Sequence, residues 1–267
     1  MNKRQYTVTY DREYFWRWDH FTLTMCQGSN YGNEGNWFYS FRGGLNGFHA
    51  RMAGAEHHYN LMHAWIPQTR STKETEYHLA TFFFQIDSAI ECLVFALNSM
   101  GYAIEKNGFR RIDDSASLRR ISPLDILGDI NKNISPLKGY SKIFPKTSNL
   151  WASKRDLFTR IFEQHDVSKH RHTIYVGGSM RNDPPPGFWE SLRVPNECRA
   201  QFMPVREVIL GNDLKQPLEK RKPQAINEFV YLEEIAVDFF ELMTQTGLTI
   251  LEDCMSNIKI FEELKNA

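Results

Sequence analysis

The densest chemistry in this chain is the run Arg160-Ile161-Phe162-Glu163-Gln164-His165-Asp166-Val167-Ser168-Lys169-His170-Arg171-His172. Three histidines and three strong bases fall within thirteen residues. Imidazole titrates near neutral pH and can move a proton, and a guanidinium can hold negative charge. The alternative is a basic helix end that complements its own dipole. A second group is Asp87 and Glu91, four residues apart in an apolar stretch, with Asn98 continuing their stripe. Carboxylates withdrawn from water there suggest acid–base work or an ion pair with a basic partner; on a solvated face they do nothing. A third group is His57, His58 and His63, close to Glu56. The order Glu56-His57-His58 is not HExxH, and no glutamate has a histidine three residues later, which excludes a ferritin-like carboxylate site. On a helix His63 lies about 140° round from His58, so a zinc site needs a ligand from elsewhere. No metal and no cofactor are expected.

These residues need elements to position them. Ser71-Thr72-Lys73-Glu74 fits a capping box. From there Phe83, Ile86, Ile90, Leu93, Val94 and Leu97 recur at helical spacing as far as Gly101, a suitable residue just past a helix end. The pattern predicts a helix of about 28 residues over 72–100, about 42 Å long. Others are predicted over 49–66, from Ser122-Pro123 to about Lys132, over 149–166 and over 223–252. The 149–166 helix carries the apolar face Leu150, Trp151, Leu157, Phe158, Ile161 and Phe162, with Arg160 and His165 near its end.

Between them, 173–177 and 206–210 read as short strands able to pair, separated by Asp183-Pro184-Pro185-Pro186-Gly187. Residues 1–48 are aromatic, and the glycines and asparagines from Gly28 to Gly47 read as turns. The expected architecture is mainly α: a helical bundle over 71–267 with a small β-hairpin-like insertion. An aromatic, irregular N-terminal elaboration over 1–70 packs on it, the whole forming a single domain of 1–267.

Composition bounds the function. Hydrophobic residues make up 42% and charged residues 24%, which excludes a disordered or fibrous chain. Cys26, Cys92, Cys198 and Cys254 lie too far apart for a disulfide framework or a thiolate zinc site. The stretch from Leu79 to Leu97 is interrupted by Gln85, Asp87 and Glu91, too polar for a bilayer span, and no secretory signal is visible. The chain is expected to be soluble, intracellular and cytoplasmic, with no membrane partner. GxSxG, Walker A, GxGxxG and EF-hand patterns are absent. Net charge is zero but uneven: 102–172 carries 14 basic and 8 acidic side chains, and 225–267 carries 2 and 9. The two segments either attract each other, within a chain or across a homodimer, or the first is a surface for polyanions.

Arg160 and His165, with four residues between them near the end of an amphipathic helix, resemble the motif of the HEPN superfamily. Those are helical bundles marked by Arg, four to six residues, then His. The resemblance spans about residues 72–265; many members carry a polar residue after the Arg, where this chain has Ile161. It implies an RNA-binding protein or metal-independent endoribonuclease of RNA-processing or defence type, with RNA and a second copy as partners. Arg160 and His165 are then catalytic, and Lys169, His170, Arg171 and His172 hold the RNA backbone. Arg160 and His165 diverge by about 140° on an ideal helix, so convergence needs the helix to end or bend before His165, as Asp166-Val167-Ser168 allows. The alternative is a non-enzymatic helical protein that binds a protein partner or nucleic acid.

Overall fold

The computed structural model describes residues 8–26, 36–63, 72–113, 115–129, 133–170, 207–208, 224–225, 228–262 and 264. The chain is a mainly helical bundle. Long helices are α1 (Arg12–Cys26), α2 (Asn36–His63), α3 (Thr72–Ile104), α8 (Arg155–His170) and α9 (Glu228–Ser256). Between α3 and α8 run short pieces: α4 (Ser115–Leu118), α5 (Leu124–Leu127), α6 (Lys138–Ile143) and α7 (Pro145–Ser153). The turn α10 (Ile258–Phe261) follows α9. The described residues form two compact units. One draws on 54–87 and 157–239 together with Val8, the other on 9–53, 88–156 and 240–267.

In the first unit Tyr59, Phe82, Phe83, Ile86, Phe158, Ile161 and Phe239 are buried. The second has an aromatic core. Phe15 packs on Phe48 with ring centroids 4.5 Å apart, and Trp18 meets Phe41 edge to face at 4.9 Å. Buried indoles are satisfied: Trp18 Nε1 donates to Met100 Sδ at 3.3 Å and Trp151 Nε1 to Thr246 Oγ1 at 3.0 Å. Asp253 of α9 caps the start of α7, accepting from the Lys146 and Thr147 amides at 3.0 Å each and from Thr147 Oγ1 at 2.9 Å. Those amides belong to the first turn of α7 and have no partner within the helix.

The expected irregular N-terminal region is corrected: α1 and the first turns of α2 are helical and supply core residues. Gly43, Gly44 and Gly47 lie inside α2 rather than in turns, and Gly44 and Gly47 serve close packing on α3; Gly28, Gly32 and Gly35 lie outside the described residues. A Cβ on Gly44 would lie 2.8 Å from Ala96 N and 2.9 Å from Cys92 O, both backbone atoms of α3. Helix α3 starts where expected but continues to Ile104, because Gly101 lies inside it against the Phe109 ring. By length and composition alone, Tyr77–Ile104 is apolar enough to cross a membrane. A buried core helix has the same profile, and here Leu79, Phe82, Phe83, Ile86, Ile90, Leu93, Val94 and Leu97 are buried in protein. The helix expected to reach Lys132 stops at Leu127, where Gly128 takes φ 68°, a left-handed conformation that suits glycine. The 149–166 helix is two helices, α7 and α8, separated at Lys154.

The expected β-hairpin-like insertion is not supported. Residues 173–177 lie outside the described residues. Glu207–Val208 instead pairs with Gln224–Ala225 in an antiparallel ladder of two residues a side, too short to stand as a hairpin alone. Ser71 of the capping box, Pro223 and the basic stretch 215–222 also lie outside the described residues.

The α2–α3 contact yields a paired expectation. Gly44→Ala drives a methyl into the α3 backbone and costs about 1–3 kcal/mol. Gly43→Ala, with nothing within 4 Å of its added Cβ, gains up to about 1 kcal/mol from helix propensity. Urea denaturation of the two variants beside the parent measures both, and equal effects would reject the close-approach account.

Candidate functional site

Helix α8 is unbroken from Arg155 through His170, so it neither ends nor bends before His165. The break or bend that convergence of Arg160 and His165 requires is absent from α8. Five residues of continuous helix turn the side chains about 140° apart, and each meets a different neighbour. Arg160 faces α9, with Nη2 3.8 Å from Asp238 Oδ2 in a pair open to solvent. His165 faces α3, where Nδ1 bonds Asp87 Oδ2 and the ring packs edge-on against Phe84 with centroids 5.8 Å apart. His165 is 8% exposed and Asp87 9%. These five residues belong to the first unit.

The Asp87–His165 contact fixes a chemistry. A carboxylate oxygen accepts, so Nδ1–H donates, and in the neutral ring Nε2 then carries the lone pair. That is how an oriented imidazole is prepared to take a proton. It also gives Asp87 a basic partner on a neighbouring helix. Its sequence companion Glu91 is exposed, whereas Asn98 is fully buried and pairs with the Arg110 backbone, accepting from N and donating to O at 2.9 Å each. Lys169 and His170 lie in the last turn of α8, with side chains outside the description. Arg171 and His172 lie outside the described residues.

Several bases of 102–172 are engaged within the chain. Arg110 binds Asp125 at 2.8 Å, Arg111 Asp113 at 3.0 Å, Lys142 Glu105 at 2.9 Å and Lys146 Glu252 at 2.9 Å. Arg155 donates to the carbonyls of Leu127 and Gly128. The contacts of Lys146 with Glu252 and of Arg160 with Asp238 join the basic and acidic segments within one chain.

Two further places were not visible as sites in the sequence. His58 meets a histidine of another helix: its Nδ1 lies 3.0 Å from Nδ1 of His78 on α3. The rings are 5.3 Å apart, and the His57 ring stands 5.3 Å from that of His58. Burial, with the His78 and His57 charges next, holds the His58 imidazole below the ordinary histidine value. The signal was available, since two helices joined by a short segment are commonly neighbours.

The second place is an open groove of about 510 Å³ in the second unit, walled by Tyr14, Arg17 and Phe21 of α1 and by Leu248, Leu251 and Met255 of α9. Trp16, 66% exposed, also borders it. The helical spacing of 14, 17 and 21 could have shown its first wall, had 1–48 been read as helical.

A double-mutant cycle on Asp87→Ala and His165→Ala should give a coupling of about 1.5–3 kcal/mol, as for a hydrogen bond to a charged group. Arg160→Ala should cost under about 1 kcal/mol, as exposed ion pairs do, and add independently to His165→Ala. Coupling of Arg160 to His165 above about 1 kcal/mol would show that the two share an environment after all.

No family model matches this chain, and no curated protein and no solved structure matches it either. No relative lends it a function.

Proposed function

We propose that this chain works by binding, and that its groove between α1 and α9 holds an amphipathic helix of a partner protein. The observation that carries this is the exposure of large apolar side chains around one concave site: Trp16 at 66%, Met255 at 61% and Leu248 at 39%. Isolated exposed apolar residues need no explanation, but several around one groove do. Trp is a common anchor at interfaces, and Met adapts to varied partners.

The lining supports a helix as the occupant. Tyr14, Arg17, Phe21 and Thr24 on one wall, with Leu248, Leu251 and Met255 on the other, recur every three or four residues. Two such rows form the groove into which a third helix's ridge fits. Charge sets its orientation, because the α1 wall carries Arg17 and His20 and the α9 wall carries Glu252. Arg17 and Glu252 are held by exposed pairs, to Glu13 and Lys146 at 2.8 and 2.9 Å, which are weak enough to exchange. The fitting partner has an apolar stripe with carboxylates along one edge and ammonium groups along the other.

A synthetic helix of about 14 residues with that pattern, roughly 21 Å long, is the probe. It should bind the full chain, and Trp16→Ala/Met255→Ala should weaken it by about tenfold or more, while a scrambled peptide of the same composition binds poorly. Equal binding by parent and variant would overturn the reading. So would a dimer formed through these same residues.

A second reading keeps one supporting observation, the Asp87–His165 pair. In a HEPN-like ribonuclease His165 Nε2, which is buried here and must first be uncovered, takes the ribose 2′-OH proton, the 2′-oxygen bonds phosphorus, and the P–O5′ bond breaks as the 5′-oxygen gains a proton. Arg160, turned toward Asp238, is poorly placed to help. This reading expects RNA cleavage that survives EDTA, leaves 2′,3′-cyclic phosphate ends and spares DNA. His165→Ala and Asp87→Asn should each slow it by about 10²–10⁴. No cleavage by the parent chain, or cleavage unchanged in His165→Ala, rejects it.

A further inference from the structure

The facing nitrogens of His58 and His78 have no role in the readings above. His58 lies on α2 and His78 on α3, both half-buried and both in the first unit. Their Nδ1 atoms lie 3.0 Å apart. Two neutral imidazoles hold that distance by sharing one proton, one ring donating from Nδ1 and the other accepting. The distance is also near what a metal ion requires. With Zn–N bonds of about 2.0–2.1 Å, two ligands on a tetrahedral ion stand about 3.3–3.4 Å apart. A small side-chain adjustment opens the pair enough to place an ion between the nitrogens.

We propose that His58 and His78 bind one divalent transition-metal ion of the zinc and nickel class through their Nδ1 atoms. Imidazole nitrogen suits these ions, whereas magnesium and calcium prefer oxygen. Among the described residues no group of three or more His, Cys, Asp and Glu is placed to hold a metal, and the two imidazoles are the ligands proposed, with water able to fill further positions. The partial exposure of both rings lets the ion and its water enter.

The change balances without loss of a proton. The ring that donated from Nδ1 moves its hydrogen to Nε2, and both Nδ1 lone pairs then face the ion. The sequence places His57, His58 and His63 on one helix, where they could not complete a site alone, and the fold supplies the missing ligand as His78. Bound metal would clasp α2 to α3 across residues twenty apart in sequence and stabilise the folded chain by mass action.

The test is a titration of the full chain with zinc chloride alone, followed by imidazole ¹⁵N NMR and by calorimetry. The two histidine signals that shift most should be those lost in His58→Gln and in His78→Gln. Either variant should bind zinc at this site about tenfold more weakly or worse. His49→Gln, at a histidine of α2 that pairs with Tyr10 in the second unit, should bind as the parent does. Far-UV circular dichroism checks that the glutamine variants keep their helices, and His58→Ala gives a second variant at the same position. No zinc-induced shift of these two imidazoles in millimolar metal overturns the proposal. So does zinc binding of unchanged affinity and stoichiometry in folded His58→Gln and His78→Gln.

Discussion

The burial of α3 is the constraint from which most of this structure follows. Its side chains Leu79, Phe82, Phe83, Ile86, Ile90, Leu93, Val94, Leu97 and Met100 are almost completely withdrawn from water, and each is worth about 1.5–3 kcal/mol when fully buried. A helix so enclosed imposes two conditions. A neighbour can come close only where a side chain is missing, which is why Gly44 of α2 sits on the backbone at Cys92 and Ala96. Every polar group carried into the interior must also find a partner. Asp87 takes His165, Asn98 takes the backbone of Arg110, and Ser99 Oγ donates to the Phe95 carbonyl at 2.8 Å.

The same conditions organise the basic region. Asn98 presents a donor and an acceptor to Arg110 as a neighbouring strand would. That fixes the start of a segment with little regular structure of its own. Arg110 then reaches Asp125, whose Oδ2 accepts from the Ser122 amide at 3.2 Å and whose carbonyl accepts from Leu137 N at 2.8 Å. Tyr140, fully buried beside this network, donates to Asn98 Oδ1 at 3.3 Å. Burial, reinforced by the Asp125 carboxylate, pushes its hydroxyl pKa well above the usual tyrosine value. A loop-rich stretch is thereby tied to the helix core by hydrogen bonds, and several of its charges serve structure rather than an external polyanion. The second unit also carries an open, largely apolar groove between α1 and α9.

The sequence by itself determined the helical class, the position of α3 and the apolar face of α8. Those rest on a 3.6-residue period that local chemistry writes directly into the chain. Leu157, Phe158 and Ile161 are buried as that period requires, and so are Phe240 and Met243. It also marked Arg160, His165, Asp87 and His58 as residues worth locating. Their partners were decided by tertiary structure alone, because Asp87 and His165 are 78 residues apart and no local pattern couples them. The N-terminal glycines show the same limit from the other side. Glycine marks a turn when the chain must bend and a contact when another helix must approach, and only the packed neighbour, here α3, distinguishes the two.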